Sequence, residues 1–393
     1  MQKDKEERIL CIDPVLSKFN IRRLSKLYYR DYGYTSKQQM LCDRKRVGIV
    51  HLYVEAHGLG LSGTGVKAFG NISEDGKDAM SALVNQKSQM KPVTSDIYDS
   101  YTPLQLAVLF DIPYLVEFFL SNADADVGVE DADGRDLFLL SIVHGITSVQ
   151  FGSTLHHLLR FKNIDVNSRC NKGYTALHYC FFDHRHDCRD VAVNLINKWG
   201  GDVEAREATG KTPLQVALYM NTLEQVKFLV DYLDADVHCV CYEGWTALHS
   251  VCANPDSRAQ NPSEIFAVPK LRYLLYEKGL LSAVNVADKE GVTPLHVACF
   301  ACGESRGSSS CVEELMVVHA RYDAVDNDFS APLSDVIASG NINALHSIFL
   351  RAGTEHAKLE IIRRDKYGRN ALHLACHFGW LDMLHIFILV LQC

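Results

Sequence analysis

The chain has 393 residues, 47% of them hydrophobic and 22% charged, with a formal net charge of -8. This is apolar enough for a packed core and excludes general disorder, and the length suits two or three domains or one long repeat array. Up to Val93 there are 16 Lys and Arg against 10 Asp and Glu, and beyond it 24 against 38. The acidic larger part lacks the basic face that phosphate neutralisation requires, so no nucleic-acid partner is expected.

The segment Met1-Gln2-Lys3-Asp4-Lys5-Glu6-Glu7-Arg8 is charged and precedes no apolar run, which excludes a secretory signal. No stretch reaches the ~20 apolar residues of a membrane helix, so no membrane span is expected. The 13 cysteines then read as reduced thiols rather than a disulfide framework, and a cytoplasmic location follows. Residues 1–95 form an N-terminal region of their own, small and mostly helical or irregular. Residues 10–19 and 21–29 are predicted helices, with Arg22, Arg23, Lys26 and Arg30 on exposed faces. Residues 47–56 are apolar enough for the first helix of an eroded repeat completed near residues 78–84. The glycine-rich stretch 58–65 reads as a loop. A phosphate-binding loop needs Lys-Ser/Thr after its last Gly, and Val66 follows Gly65; Ser62 and Gly63 also break the dinucleotide spacing. Arg44-Lys45-Arg46 reads as a solvated face, with nuclear import as the alternative.

From residue 96 onward the chain repeats itself. Thr293-Pro294-Leu295-His296-Val297-Ala298 has relatives starting at Thr102, Thr175, Thr212, Thr246 and Asn370, with weaker copies at Asp136 and Ala331. A Gly stands two places ahead of most copies: Gly134, Gly173, Gly210, Gly244, Gly291, Gly368. It supplies the positive φ of a tight turn. The Thr caps a helix, and Pro in the first helical position has no N–H to lose. A second helix follows at apolar helical spacing, as in Leu223, Val226, Leu229, Val230 and in Leu271, Leu274, Leu275. Asp165-Val166-Asn167, Asp202-Val203-Glu204 and Asp236-Val237-His238 close units. The largest insertion is expected at residues 254–266.

This pattern resembles the ankyrin-repeat family over residues 96–393. The resemblance implies an all-α solenoid of about eight stacked helix-turn-helix units with short β-hairpin tips, each unit touching only its neighbours. In the last unit Leu381, Leu384, Ile386, Phe387, Ile388, Leu389, Val390 and Leu391 make the second helix apolar nearly all round. A capping unit should show water a polar face, which slightly favours a fragment of a longer protein.

The register decides the tempting Cys and His residues. His296, Cys299, Cys302 and Cys311 have zinc-like spacing. Yet Cys252, Cys299 and Cys376 share one repeat position, read as packing between helices. His178, His249, His296 and His373 share another, which the resemblance implies bonds locally between adjacent units. Asp183, His184, His186, Asp187 and Cys188 read as a polar loop, and Cys239-Val240-Cys241 as structural. No metal, cofactor or catalytic residue is assigned, since no nucleophile elbow, kinase signature or His-Glu-x-x-His is present.

Ankyrin proteins bind partners through hairpin tips and the concave inner-helix face. Carried onto this chain, the exposed place before the motif holds Tyr101, Tyr174, Lys211 and Trp245, with Tyr98 and Tyr242 nearby. Inner-helix positions facing the groove include Leu109, Phe110, Phe182, Tyr219, Met220, Phe300 and Phe378. Tyr and Trp dominate binding hot spots, so an aromatic stripe from Tyr101 past Tyr174 to Trp245 is the candidate binding surface. The alternative is that these aromatics fill gaps in degenerate repeats. The expected function is a non-enzymatic binding module or scaffold for a partner protein. Rival readings are the regulatory part of a larger enzyme or membrane protein (kinase, channel, ubiquitin-ligase component, palmitoyltransferase) and a nucleotide- or metal-dependent activity in residues 1–95.

Overall fold

A helix begins at the residue after the start of every motif copy. The computed structural model describes residues 101–393 apart from 110, 123–124, 149–154, 156–157, 160–163, 183–186, 254–266, 302–309 and 393. The expectations for residues 1–95, for Tyr98 and Phe110, for His184 and His186, and for the insertion at 254–266 lie outside the described residues. The motif-led helices are α1 Pro103–Leu109, α3 Leu137–Ser148, α4 Ala176–Cys180, α6 Pro213–Met220, α8 Ala247–Cys252, α10 Pro294–Ala301, α12 Pro332–Ser339 and α14 Ala371–Phe378. The weak copies at Asp136 and Ala331 therefore fold like the strong ones.

Capping explains where these helices start. In Thr212 the hydroxyl accepts from Gln215 N (3.4 Å) and the Gln215 side chain accepts from Thr212 N (3.3 Å). Thr102 and Gln105 repeat this pair at 3.3 and 2.8 Å. Such a box satisfies two of the first-turn N–H groups that have no intrahelical partner.

Second helices complete the units: α2 Pro113–Asn122, α5 Arg189–Trp199, α7 Leu223–Lys227, α9 Ala267–Arg272, α11 Ser310–Val317, α13 Ile342–Ile362 and α15 Leu381–Gln392. Helices α7 and α9 each run on into a π-type turn, Phe228–Tyr232 and Tyr273–Glu277. Fifteen α-helices and no strand are present among the described residues. The hairpins expected at the tips are tight turns closed by single backbone pairs, as in Gly291 N to Asp288 O (3.1 Å) and Asp288 N to Val292 O (2.9 Å).

Tip geometry has a second cause that motif reading misses. An acidic residue opens most tips, with Cys170 and Cys241 opening two others: Asp288 Oδ1 accepts from Glu290 N and Val292 N, both at 2.9 Å. Asp131, Asp326 and Asp365 do the same in their own tips. The tip glycine then turns the chain at positive φ, 85° in Gly210. A Cβ there would sit 2.6 Å from the ring and backbone N of Tyr242.

The chain forms two compact units, one ending at Ala176 and the other Leu177–Cys393. In the first, Leu104, Val108, Leu115, Val116, Phe119, Leu137 and Leu158 form the core. Tyr101, expected at an exposed place, belongs to this core at 6% exposure, its hydroxyl 3.3 Å from Asp131. Leu109, expected to face a groove, is also buried. An aromatic ring beside so short a helix gains more from the apolar core than from water.

In the second unit, joints between repeats carry the packing. Tyr273, 1% exposed, donates its hydroxyl to Asp231 Oδ1 at 2.8 Å. Lys227 and Lys278 place their ammonium groups 4.9 and 5.5 Å from its ring centroid. Lys270, fully buried, donates to Leu218 O at 2.6 Å and Asn221 O at 2.8 Å. Helix α13 holds a surprise: Gly353 at φ 75° breaks it in two. Its second half is an extra helix pinned by buried Ala357, Glu360 and Ile361, and it fills the long spacing before Asn370.

Candidate functional site

One repeat position makes a ladder along the second unit. His178 Nε2 lies 3.1 Å from Lys211 O, Gln215 Nε2 2.8 Å from Trp245 O, His249 Nε2 3.0 Å from Val292 O and His296 Nε2 3.2 Å from Ser330 O. Each reaches the residue just ahead of the next motif. The local bond expected of this histidine is thus present in three units, and glutamine replaces it in a fourth. His373, in the last unit, is exposed.

The bonding also fixes the proton. Thr246 N donates to His249 Nδ1 at 3.1 Å, and Thr293 N to His296 Nδ1 at 3.1 Å. Nδ1 must therefore be bare and Nε2 must carry the hydrogen, so both rings are neutral. Burial lowers the pKa of both. Above the unfolded value of about 6.5 neither state takes a proton. Below it the unfolded chain protonates first, so stability falls as pH drops, by at most about 1.4 kcal/mol per pH unit per histidine. Glutamine already fills this position at Gln105 and Gln215. The double substitution His249→Gln/His296→Gln should keep stability near pH 7.5 within about 1 kcal/mol. It should flatten its loss between about pH 6.5 and 5. Urea titrations across that range test this; curves of equal slope for both proteins would refute the assignment.

The cysteines sort the same way. Cys180, Cys188, Cys239, Cys241, Cys252, Cys299 and Cys311 are buried free thiols. Burial raises Cys252 well above the usual thiol value and Cys239 to about 11. The contact with Cys188, then burial, raises Cys180. Thiols held protonated are poor nucleophiles and poor ligands. No group of three potential metal ligands occurs among the described residues; Cys302 lies outside them. Cys376 departs from expectation and is exposed, because no unit within the described residues follows to cover it.

Trp245 is held rather than free. Its Nε1 donates to Asp288 Oδ2 at 3.0 Å, its ring stacks on His249 at 6.0 Å, and Lys211 Nζ lies 5.2 Å from it. Trp245, Lys211, Met220 and Tyr174 are half-buried. Tyr174 lies in the first compact unit and Trp245 in the second. With Tyr101 buried, the stripe loses its first member. Phe182, Tyr219, Tyr242, Phe300 and Phe378 are exposed, Tyr242 at 53% and Phe300 at 68%.

One exposed aromatic escaped sequence reading. Phe329 stands where other tips have glycine, keeps φ at 59° and is 60% exposed. A bulky residue in left-handed backbone costs roughly 1–2 kcal/mol, and such strain concentrates at functional positions. The signal was the missing glycine in Asp326-Asn327-Asp328-Phe329-Ser330. Tyr367, 65% exposed, is a second tip aromatic that was passed over.

No helix among the described residues is long and apolar enough to cross a membrane. A family model of ankyrin repeats, in three copies, matches residues 144–241. The B-cell lymphoma 3 protein homolog of Mus musculus is 31% identical over 153 residues, 38% of this chain and 32% of that protein. The nuclear factor NF-kappa-B p105 subunit of Gallus gallus is 30% identical over 156 residues, 39% of this chain and 15% of that protein. Transient receptor potential cation channel subfamily A member 1 of Homo sapiens is 23% identical over 239 residues, 56% of this chain and 20% of that protein. The match therefore spans about a third or less of the length of these relatives.

Proposed function

From a chain built of ankyrin repeats, we propose a non-enzymatic module that binds a partner protein through its tips and first-helix aromatics. The carrying observation is the set of exposed aromatics on these elements in Leu177–Cys393: Phe182, Tyr219, Tyr242, Phe300 and the strained Phe329. Large rings left in water at tips fit hot spots, which gain area at small entropic cost. Lys211, Met220 and Trp245 line the same elements and complete the surface; Tyr98, Phe110 and Tyr174, of the first unit, keep their assignment to partner binding from the sequence. Tyr101 acts in packing. Residues 96–393 are the binding array, residues 1–95 a separate region, and the location is cytoplasmic, with the nucleus as alternative.

Partner capture by the full chain, read by mass spectrometry, tests the proposal. Tyr242→Ala with Phe300→Ala should weaken capture by tenfold or more at unchanged melting temperature, since hot-spot truncations cost about 2 kcal/mol or more of binding. Phe329→Gly should move the two readouts in opposite directions, weakening capture while raising stability by about 1 kcal/mol. Capture that survives all three substitutions ends the proposal. A second reading, the ankyrin portion of a larger enzyme or membrane protein, is favoured by the small share of each relative that is matched, one of them a cation channel.

A further inference from the structure

One first helix of Leu177–Cys393 breaks the motif with a charge. Tyr179, Val216, Ser250, Val297 and Leu374 hold the fifth motif place in their units, and the last four are buried. In α12 that place holds Asp335. A carboxylate is costly among such neighbours unless a cation or hydrogen bonds answer it. Asp335 has no hydrogen bond and no ion pair among the described residues. Helices α10, α13 and α14 pack around α12. Their titratable groups leave it alone: neither His296 on α10, His346 and Glu360 on α13, nor His373 and His377 on α14 acts on it. The one charge that does, that of Asp326, repels. Arg369, just ahead of the next motif, is held by Asp365 at 2.7 Å.

Positive charge is scarce throughout this part of the solenoid. The tips and first helices of the two units concerned, residues 288–301 and 326–339, carry Asp288, Glu290, Asp326, Asp328 and Asp335 against Lys289. Asp288 and Asp326 serve the amides of their own tips, and Asp328 pairs with Lys366. Asp335 has no such duty. It is half-buried, and water still reaches its carboxyl oxygens. Burial, then the charge of Asp326, pushes its pKa up to about 8. The free protein therefore keeps it protonated near pH 7. An acid held in that state at an apolar place weakens the fold, and perturbed groups of this kind cluster at functional positions. The exposed rings of Phe300 and Phe329 belong to the same two units.

We infer that Asp335 receives the charged end of a lysine or arginine from the partner protein, an assignment that rests on the binding role proposed for the aromatic surface. The partner segment then carries a basic side chain beside apolar ones. On binding, the Asp335 carboxyl gives its proton to solvent and the resulting carboxylate pairs with the incoming ammonium or guanidinium group. That pairing supplies the cation which the fold withholds. A metal ion fits poorly, since one carboxylate is far short of the six or more oxygens that calcium takes. An acidic segment would meet repulsion from Asp326 and Asp335 together.

The probe is a displayed library of random peptides about 12 residues long, selected on the full chain. Selection should enrich peptides with Lys or Arg at one fixed distance from an apolar residue. Asp335→Asn, which matches the protonated acid in shape, should bind those peptides about tenfold or more weakly. Asp335→Leu should do the same while melting about 2 °C higher or more. In calorimetry at pH 7 in two buffers, an enriched peptide should release about one proton from the native chain and none from Asp335→Asn. Its affinity for the native chain should rise by up to about tenfold per unit between about pH 6 and 7.5. Basic peptides that Asp335→Asn binds equally well, or that release no proton, overturn the inference. So does a lower melting temperature in both variants, since the carboxyl is then structural. Enriched peptides without a basic residue, whose binding is lost with Phe300→Ala, overturn it and leave the aromatic surface standing; no enrichment overturns both.

Discussion

Tyr273→Ala is expected to lower the stability of the second compact unit by about 3–5 kcal/mol, the usual cost of deleting a buried aromatic ring. The ring is 1% exposed and stands at the joint between two repeats. Three kinds of interaction would vanish together: its packing, the hydroxyl bond to Asp231, and the two ammonium contacts from Lys227 and Lys278. Packing dominates, because the cation contacts are worth only about 0.5–1 kcal/mol each near solvent. The surrounding pairs Lys227–Glu277 and Lys278–Asp231 join half-buried lysines to exposed carboxylates, are screened by water and add little. Tyr273→Phe should therefore lose only about 1 kcal/mol. Because each unit is stabilised by its neighbours, the Ala variant should also split urea unfolding into two steps. A one-step transition with a loss below about 1 kcal/mol would show that the ring is not the anchor.

Lys270→Met is the second large effect, a loss of about 2–3 kcal/mol. Leu218 and Asn221 stand at the C-terminal end of α6, where carbonyls lack intrahelical donors and the helix dipole is negative. The ammonium group answers both needs at 2.6 and 2.8 Å. Methionine matches the stem and removes the donors, leaving two buried acceptors. Relief of the buried charge works the other way and is why the loss is smaller than for an outright cavity. Equilibrium unfolding of the single variant decides between the two terms: equal or higher stability would mean that desolvation of the lysine outweighs its bonds.

The sequence pattern disclosed the repeats well because their signals are local. Thr212, Pro213 and Gln215 cap their own helix, so a start is readable from a few adjacent residues. The histidine and cysteine positions were readable because one register explained several at once. What escaped depends on contacts across units. Lysine reads as solvated, and only the carbonyls of another helix end explain the burial of Lys270. Tyr101 precedes a motif in the same way as Trp245, yet one sinks into a core and the other leans on Asp288. The helix after Gly353 was hidden inside a long spacing that reads equally well as a loop insertion. Cys376 was assigned by register alone, and register does not say whether a neighbour is present.

The ladder of forward-reaching side chains has a mechanical meaning. Its rungs join residues 33, 30, 43 and 34 positions apart, always one unit to the next. Tension applied at the two ends of Leu177–Cys393 would load these rungs in series, not in parallel. Each would part at its own force, and the chain would pay out repeat by repeat. On release, each rung needs to find only its immediate neighbour, so recoil should be quick however many repeats have opened.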